Sequence, residues 1–199
     1  MIAIIDYGMG NLASVRNALG KLGYAAFTAS EPDEILKADK VILPGVGAFE
    51  DAIKNLRRRG MDNCVKELVA AQVPLLGICL GMQLLFSESE ENGIHEGLDI
   101  IPGRVIRFNT QLKVPHMGWN DISINPASRI LKGIPDHSYF YFVHSYFVQP
   151  EDKSVIAATC NYGIDFTCVV EKDNLFAAQF HPEKSSDMGL RILKNFGEI

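Results

Sequence analysis

The feature of this sequence that most clearly indicates a catalytic role is a cysteine between two glycines. Gly77-Ile78-Cys79-Leu80-Gly81 follows an apolar run and precedes a helical pattern. Small residues around a nucleophile allow a sharp strand-to-helix turn that holds its side chain in a strained, exposed position. We therefore predict that Cys79 is a thiol nucleophile and that the backbone N–H of Leu80 faces the oxyanion formed by its attack. The alternative is a buried cysteine in a glycine-rich turn.

A nucleophilic thiol needs a partner that transfers protons, and His181 is the best-placed histidine. Phe180-His181-Pro182-Glu183 ends a predicted strand, so the imidazole lies where sites in open α/β sheets collect. Glu183, two residues further on, can accept a hydrogen bond from the ring and fix its tautomer. The sequence therefore predicts a triad of Cys79, His181 and Glu183.

The other four histidines have contexts that fit structural roles better. His144 falls within an aromatic run and is predicted to be packed, whereas His116 is placed in a turn where it shapes a surface. His95 and His137 are expected to be solvated in polar loops. The remaining cysteines are predicted to be inert residues of a helix or of strands: Cys64, Cys160 and Cys168.

Two glycine-rich turns follow predicted strands. Val46 or Gly47, after the third strand, can supply a second oxyanion donor, with a plain tight turn as the alternative. Gly8 and Gly10, after the first strand, fit the start of a dinucleotide-binding fingerprint, and Glu31 follows at a suitable distance. A cofactor-binding module therefore stays open as an alternative function, although so short a match is weak.

These residues need a sheet whose strand ends meet at one edge. The first half of the chain alternates apolar runs with helical patterns, which predicts a parallel sheet with helices on both faces. Later aromatic and β-branched runs predict further, partly antiparallel strands. Strands are predicted at 2–6, 24–29, 41–43, 74–78, 139–148, 155–158, 166–170 and 175–180, and helices at 12–22, 48–59, 61–71 and 185–196.

The composition restricts the class of protein. With 199 residues, 47% of them apolar, the chain is predicted to form one domain, residues 1–199. A net charge of −5 provides no positive field for nucleic acid or an anionic membrane. No signal sequence or long apolar run is found, so we expect a soluble, cytoplasmic protein. The four cysteines form no CxxC pair, which argues against a metal site or a disulfide framework.

Two motifs carry a family resemblance. Residues 77–83, with the sequence GICLGMQ, and residues 179–185, with the sequence QFHPEKS, resemble the class I, triad-type glutamine amidotransferases. Further matches extend almost from end to end and are similar to the glutaminases that serve imidazole glycerol phosphate synthesis. These further segments are Asp6–Leu12, Leu43–Phe49, Pro115–Asn120 and Tyr141–Tyr146.

The resemblance implies a fold and a reaction. The fold is a flavodoxin-like, doubly wound, mixed and mostly parallel sheet. The reaction hydrolyses L-glutamine to glutamate and ammonia without a cofactor or a metal, through a thioester on Cys79. By the same analogy, Gln83 and the backbone of Ser145 and Tyr146 hold the glutamine.

The resemblance also implies a partner. The chain has no room for an ammonia acceptor, so ammonia passes to a (β/α)₈-barrel cyclase that makes imidazole glycerol phosphate for histidine biosynthesis. The candidate contacts are Trp119, which is placed in an exposed turn, and Lys184, which is adjacent to Glu183, because aromatic anchors and charges dominate interfaces. A subunit that serves another synthase, such as an anthranilate or pyridoxal phosphate partner, stays open as an alternative.

Overall fold

The apolar runs of the first half form the central strands, because a strand covered on both faces needs apolar side chains in both directions. The computed structural model describes residues 1–199. The strands are β1 (Ile2–Ile5), β2 (Ala26–Ala29), β3 (Lys40–Gly45), β4 (Leu75–Cys79), β5 (Phe86–Ser89), β6 (His95–Glu96), β7 (Ile101–Arg107), β8 (His116–Ile124), β9 (Tyr139–His144), β10 (Tyr146–Pro150), β11 (Ile156–Asn161), β12 (Asp165–Lys172) and β13 (Leu175–Ala178).

Six α-helices connect or flank these strands, and two short 3₁₀ turns lie at Lys153–Val155 and Pro182–Lys184. The helices are α1 (Leu12–Lys21), α2 (Pro32–Ile35), α3 (Phe49–Arg58), α4 (Met61–Ala70), α5 (Leu80–Leu84) and α6 (Ser186–Glu198). None of them has both the length and the apolar character needed to cross a membrane.

Five parallel strands form the centre of the sheet, in the order β2-β1-β3-β4-β13. This order is that of the flavodoxin-like fold, in which ligands bind at the carboxyl ends of the strands. The predicted fold class is therefore confirmed. The last strand, β13, lies directly beside β4, with Ala178 opposite Ile78.

Antiparallel strands extend the sheet beyond β13. β12 pairs with β13, β10 with β12 and β7 with β10, all antiparallel, and β5 then runs parallel to β7. β11 pairs with both β12 and β8, and β8 pairs with β9. The antiparallel pair of β8 and β9 contributes to the wall of the site. The second half of the chain is thus partly antiparallel, as predicted.

Helices cover both faces of the sheet. On one face, buried side chains of α2, α3, α4 and α5 pack against the odd-numbered residues of β1, Ala3 and Ile5. On the other face, α1 and α6 pack against Ile2 and Ile4. Alternate side chains of one strand therefore enter different cores, which explains why the central strands have no polar face.

The structure differs from the sequence-based prediction in three places. The run from 139 to 148 is two strands, β9 and β10, interrupted at Ser145. His116, predicted in a turn, opens β8 and is 3% exposed, so that prediction was wrong. Strands β5, β6 and β7, like β8, are absent from the predicted strands. The pattern of β5 and β7 is interrupted by charged residues such as Glu88 and Arg104, which form an ion pair between these two neighbouring strands.

Candidate active site

The carboxyl ends of β3, β4 and β13 meet around one cavity of about 290 Å³. This volume is near the lower end for ligand pockets and suits a small polar molecule. Eight of the nine predicted catalytic, oxyanion and substrate-binding residues line the cavity. They are Cys79, His181, Leu80, Val46, Gly47, Gln83, Ser145 and Tyr146, and the ninth, Glu183, lies behind His181.

Cys79 has the strained backbone that its sequence context predicts. Its φ of 55° and ψ of −112° are unfavourable for a residue with a side chain, and it links β4 directly to α5. Gly81 is needed for this turn, because a Cβ there would lie 1.9 Å from the carbonyl oxygen of Leu43. The predicted sharp strand-to-helix turn is therefore confirmed. The predicted exposure was wrong, because Cys79 is only 7% exposed, but it lines the cavity.

His181 and Glu183 form a buried ion pair. Nδ1 of His181 lies 2.8 Å from Oε1 of Glu183, and the two side chains are 2% and 1% exposed. Burial alone would lower the pKa of His181, but hydrogen bonding and charge from Cys79 and Glu183 outweigh burial and raise it to about 10. The imidazole is therefore protonated at neutral pH, as a group that donates a proton to a leaving group must be.

Ser185, which the sequence reasoning missed, holds the His181 loop against β9. Its Oγ donates to the His181 carbonyl at 2.7 Å and accepts from the Tyr141 N–H at 3.0 Å. The His181 N–H donates to the Tyr141 carbonyl at 3.1 Å. The imidazole thus takes its position from a strand of the antiparallel half, and a serine four residues after the histidine was the available sequence signal.

The predicted oxyanion donors lie on two sides of Cys79. Leu80 is the first residue of α5, and Val46 and Gly47 follow β3 on the neighbouring strand. The N–H groups of Val46 and Gly47 donate to no other group of the chain. Both are therefore available to a ligand or to a rearrangement of this loop.

The predicted substrate residues form the opposite wall. Nε2 of Gln83 donates to the Tyr146 carbonyl and to Oε1 of Gln179, each at 3.0 Å. The Ser145 carbonyl accepts from the Phe108 N–H at 3.1 Å. Both carbonyls are therefore already used within the protein, and the side-chain oxygen of Gln83 is the part of that residue free to meet a ligand.

Two further polar residues near the nucleophile were missed from the sequence. Glu91 lines the cavity, and its Oε2 accepts from the Phe49 N–H at 2.7 Å. Gln179 is fully buried, and its Nε2 lies 3.8 Å from Sγ of Cys79. Glu91 lies in an acidic stretch that offers no pattern to single it out, whereas Gln179 is part of the motif around His181.

The remaining histidines and cysteines stay outside the catalytic group. His144 is buried, as predicted, and His137 is exposed and pairs with Asp121 at 2.7 Å. His95 opens β6 and its side chain is 20% exposed, so the prediction that it is solvated in a loop was wrong. Burial raises the pKa of Cys64 to about 11 and that of Cys160 to about 12. Burial also raises the pKa of the Cys168 thiol, and all three thiols are buried, which fits the prediction that they are inert.

The two predicted interface residues are both exposed. Trp119 lies on β8, not in a turn, and is 51% exposed. Met117 and Tyr139 on the same outward face are also exposed, and Tyr141 contacts Trp119 edge to face. Lys184 is exposed next to Glu183. This aromatic face of β8 and β9 extends to the cavity, because Val143, opposite Met117, is part of the cavity wall.

Known proteins match this chain over almost its whole length. Residues 3–198 match the family model described as "Glutamine amidotransferase class-I". A protein of Moorella thermoacetica is 53% identical over 198 residues, 100% of this chain and 94% of its own length. One of Syntrophotalea carbinolica is 53% identical over 206 residues, 100% of both chains. Both carry the name imidazole glycerol phosphate synthase subunit HisH.

Solved structures share the fold at low identity. A crystal structure of a glutamine amidotransferase has a TM-score of 0.77 and 21% identity, covering 99% of this chain and 100% of its own. The structure of PurLQS from Thermotoga maritima has a TM-score of 0.78 and 14% identity, covering 99% and 97%. With the family match spanning nearly the whole sequence, the chain belongs to the class I glutamine amidotransferase family.

Proposed function

We propose that this chain is the glutaminase subunit of an imidazole glycerol phosphate synthase, which supplies ammonia for histidine biosynthesis. The observation that carries the proposal is that the strained Cys79 and the His181–Glu183 pair serve one cavity. The names of relatives 53% identical over the full chain support the acceptor reaction. Residues 1–199 act as one glutaminase domain, and the four free cysteines fit a reducing, cytoplasmic location.

The first half of the reaction forms a thioester. Sγ of Cys79 attacks the side-chain carboxamide carbon of L-glutamine, and the carbonyl oxygen becomes an oxyanion that accepts from the N–H groups of Leu80 and of Val46 or Gly47. The tetrahedral intermediate collapses when its C–N bond breaks. The imidazolium of His181 donates its proton to the departing nitrogen, so ammonia leaves and a γ-glutamyl thioester remains on Cys79.

The second half of the reaction releases glutamate. His181, now neutral, accepts a proton from water as the water oxygen attacks the thioester carbon. The C–S bond then breaks, which frees glutamate and restores the thiolate beside the imidazolium. Glu183 keeps the ring in the productive tautomer and stabilises its positive charge during both steps.

The cavity also offers recognition of the amino-acid end of glutamine. The carboxylate of Glu91 is an acceptor for an α-ammonium group, and the side-chain oxygen of Gln83 is a second acceptor. Backbone groups at Ser145 and Tyr146 complete the wall on the side of β10. No cofactor or metal is required by this mechanism, because acid–base and nucleophilic groups supply each step.

The cyclase partner, which we propose to be a (β/α)₈ barrel, binds the aromatic face of β8 and β9. Trp119, Met117 and Tyr139 expose large apolar groups together, and such clusters mark interfaces. Lys184 adds a charge on the catalytic loop beside this face. Because the face reaches the cavity wall at Val143, ammonia released in the cavity is close to the partner.

The loop after β3 is the proposed gate. Gly47 has a φ of 98°, and the unpartnered N–H groups of Val46 and Gly47 leave these peptides free to reorient. Partner binding favours the orientation that faces the oxyanion. Since one such donor contributes about 10²–10³-fold to the rate, the isolated chain is expected to be nearly inactive.

The nucleophile is tested with Cys79→Ala. The variant loses glutamine hydrolysis, whereas the assembled complex still makes product from added ammonium, because only the glutaminase step is removed. Cys160→Ala is the matched control, since that thiol is buried away from the cavity. Glutaminase activity that survives in Cys79→Ala would contradict the triad.

The partner surface is tested with Trp119→Ala and Lys184→Ala, each assayed alone and with the cyclase and its nucleotide ligand. We expect weaker stimulation in both variants. Exposed Leu112, outside this face, provides the control variant Leu112→Ala. If wild type is fully active alone, the gate is wrong; if stimulation is unchanged in both variants, the proposed contacts are wrong.

A further inference from the structure

Two buried histidines that the mechanism does not use face each other across β8 and β9. His116 and His144 are 3% and 6% exposed and occupy opposite positions in the strand pair. Nδ1 of His116 lies 3.0 Å from Nε2 of His144. Such a contact between two imidazoles requires one ring to donate and the other to accept.

The surrounding partners fix which ring donates. Nδ1 of His144 lies 2.8 Å from the Tyr146 carbonyl, which can only accept, so His144 carries its proton on Nδ1. Its Nε2 therefore accepts, and Nδ1 of His116 donates to it. Nε2 of His116 is then an acceptor, and Nδ2 of Asn120, which also donates to the Asn161 carbonyl, lies 3.2 Å away.

Both rings are neutral at physiological pH. Burial lowers the pKa of His116 to about 4. Burial also lowers the pKa of His144 to about 3, although its bond to the Tyr146 carbonyl opposes the shift. His116 is stacked on Phe142 and Tyr162, with ring centroids 4.8 and 4.0 Å apart. The stacking therefore holds the His116 ring in place, and the hydrogen bonds fix one tautomer for each ring.

The hydrogen bonds continue from this pair into the cavity. The Tyr146 carbonyl accepts from His144 and also from Nε2 of Gln83, at 3.0 Å. Gln83 donates in turn to Gln179, whose Nε2 lies 3.8 Å from Sγ of Cys79. One continuous series of donors and acceptors thus runs from Asn120 on β8 to the nucleophile.

We propose that His116 and His144 are positioning residues that set the glutamine pocket through the Tyr146 carbonyl and the Gln83 amide. The Nδ1–H of His116 holds His144 in the tautomer that donates to this carbonyl. That carbonyl then orients Gln83 so that its side-chain oxygen faces the substrate. The inference rests on the proposed function, because it assigns the Gln83 wall to glutamine. It also connects this wall to β8, the strand that carries Trp119.

The test compares two variants at His116 in the complex with the cyclase. His116→Phe keeps an aromatic ring between Phe142 and Tyr162 but removes the donor. We expect a stable protein whose KM for glutamine rises roughly 2- to 12-fold, the effect of one lost hydrogen bond, with a smaller change in kcat. His116→Asn places an amide nitrogen near the Nδ1 position, so it restores KM toward the wild-type value despite its lost stacking.

The second readout is the ¹⁵N spectrum of the His144 ring, which reports the tautomer directly. In wild type we expect the proton on Nδ1, and in His116→Phe a population with the proton on Nε2. A wild-type ring protonated on Nε2, or an unchanged KM in His116→Phe, would overturn the inference. If wild type hydrolyses no glutamine in the complex, the proposed function fails instead, and the ring spectrum still tests the pair. If His116→Phe does not fold, the wild-type spectrum and the KM of His116→Asn decide.

Discussion

Replacing Glu183 with glutamine tests how much the buried carboxylate contributes to the reaction. Glu183→Gln keeps the shape of the side chain but removes its charge from a pair whose atoms lie 2.8 Å apart and whose side chains are 2% and 1% exposed. A hydrogen bond to a charged group contributes about 1.5–3 kcal/mol, so kcat/KM is expected to fall roughly 10- to 100-fold. His181→Ala removes the acid and base itself and is expected to lose more, about 10²–10⁴-fold.

The pH profile separates the role of the charge from a change in shape. The carboxylate helps to raise the pKa of His181, so the imidazolium is present below that pKa and is lost as the pH rises through it. In Glu183→Gln the alkaline limb of the glutaminase profile should therefore move to lower pH. Assays use the assembled complex, in which we expect wild-type activity to be highest.

A second carboxylate provides the control. Glu171 pairs with Arg129 at 2.7 Å, is 13% exposed and lies near the start of β13, at the end of the sheet away from the cavity. Glu171→Gln is expected to leave kcat/KM and the pH profile unchanged. The orienting role would be refuted if Glu183→Gln lost as much kcat/KM as His181→Ala, or more. It would also be refuted if the alkaline limb of the pH profile of Glu183→Gln stayed at the wild-type position.

Two further predictions concern stability. Gly81→Ala is expected to lower the free energy of unfolding by more than about 2 kcal/mol, because its Cβ would meet the Leu43 carbonyl oxygen. The Cβ of Gly20→Ala in α1 meets open space, so this variant should be more stable than wild type by about 0.5–1 kcal/mol. Thermal unfolding of both variants distinguishes them. Between pH 7 and pH 5, the depressed pKa values of His116 and His144 make the unfolded state bind more protons, so stability falls as the pH is lowered, with up to about 2 kcal/mol of the fall from His116. Urea unfolding at the two pH values checks this, and a fall in His116→Phe as large as that in wild type would exclude His116 as a source.

The central strands and the nucleophile could be predicted because a single physical requirement determines the residue types at each of these places. β1, β3 and β4 are buried on both faces, so their apolar runs have few alternative interpretations. Cys79 stands between glycines that a close backbone approach requires. In these places the local sequence and the tertiary structure demand the same residues.

The wall opposite the nucleophile could not be predicted in the same way. Pro115 and Gly118 make the start of β8 similar to a turn, and the buried His116 ring donates its hydrogen bond to His144 on the facing strand. Glu91 differs from its acidic neighbours only in facing the cavity. Such roles depend on partners distant in the sequence, and periodicity carries no information about them.

The position of β13 has a consequence for when the catalytic residues come together during synthesis. This strand lies between β4 and β12, so the sheet stays split until residues 175–178 have left the ribosome and inserted between two strands already made. Pairings between such distant segments form slowly, because a long loop must close first. A nascent chain therefore carries Cys79 without His181 beside it, and the step that completes the sheet also brings these two residues together.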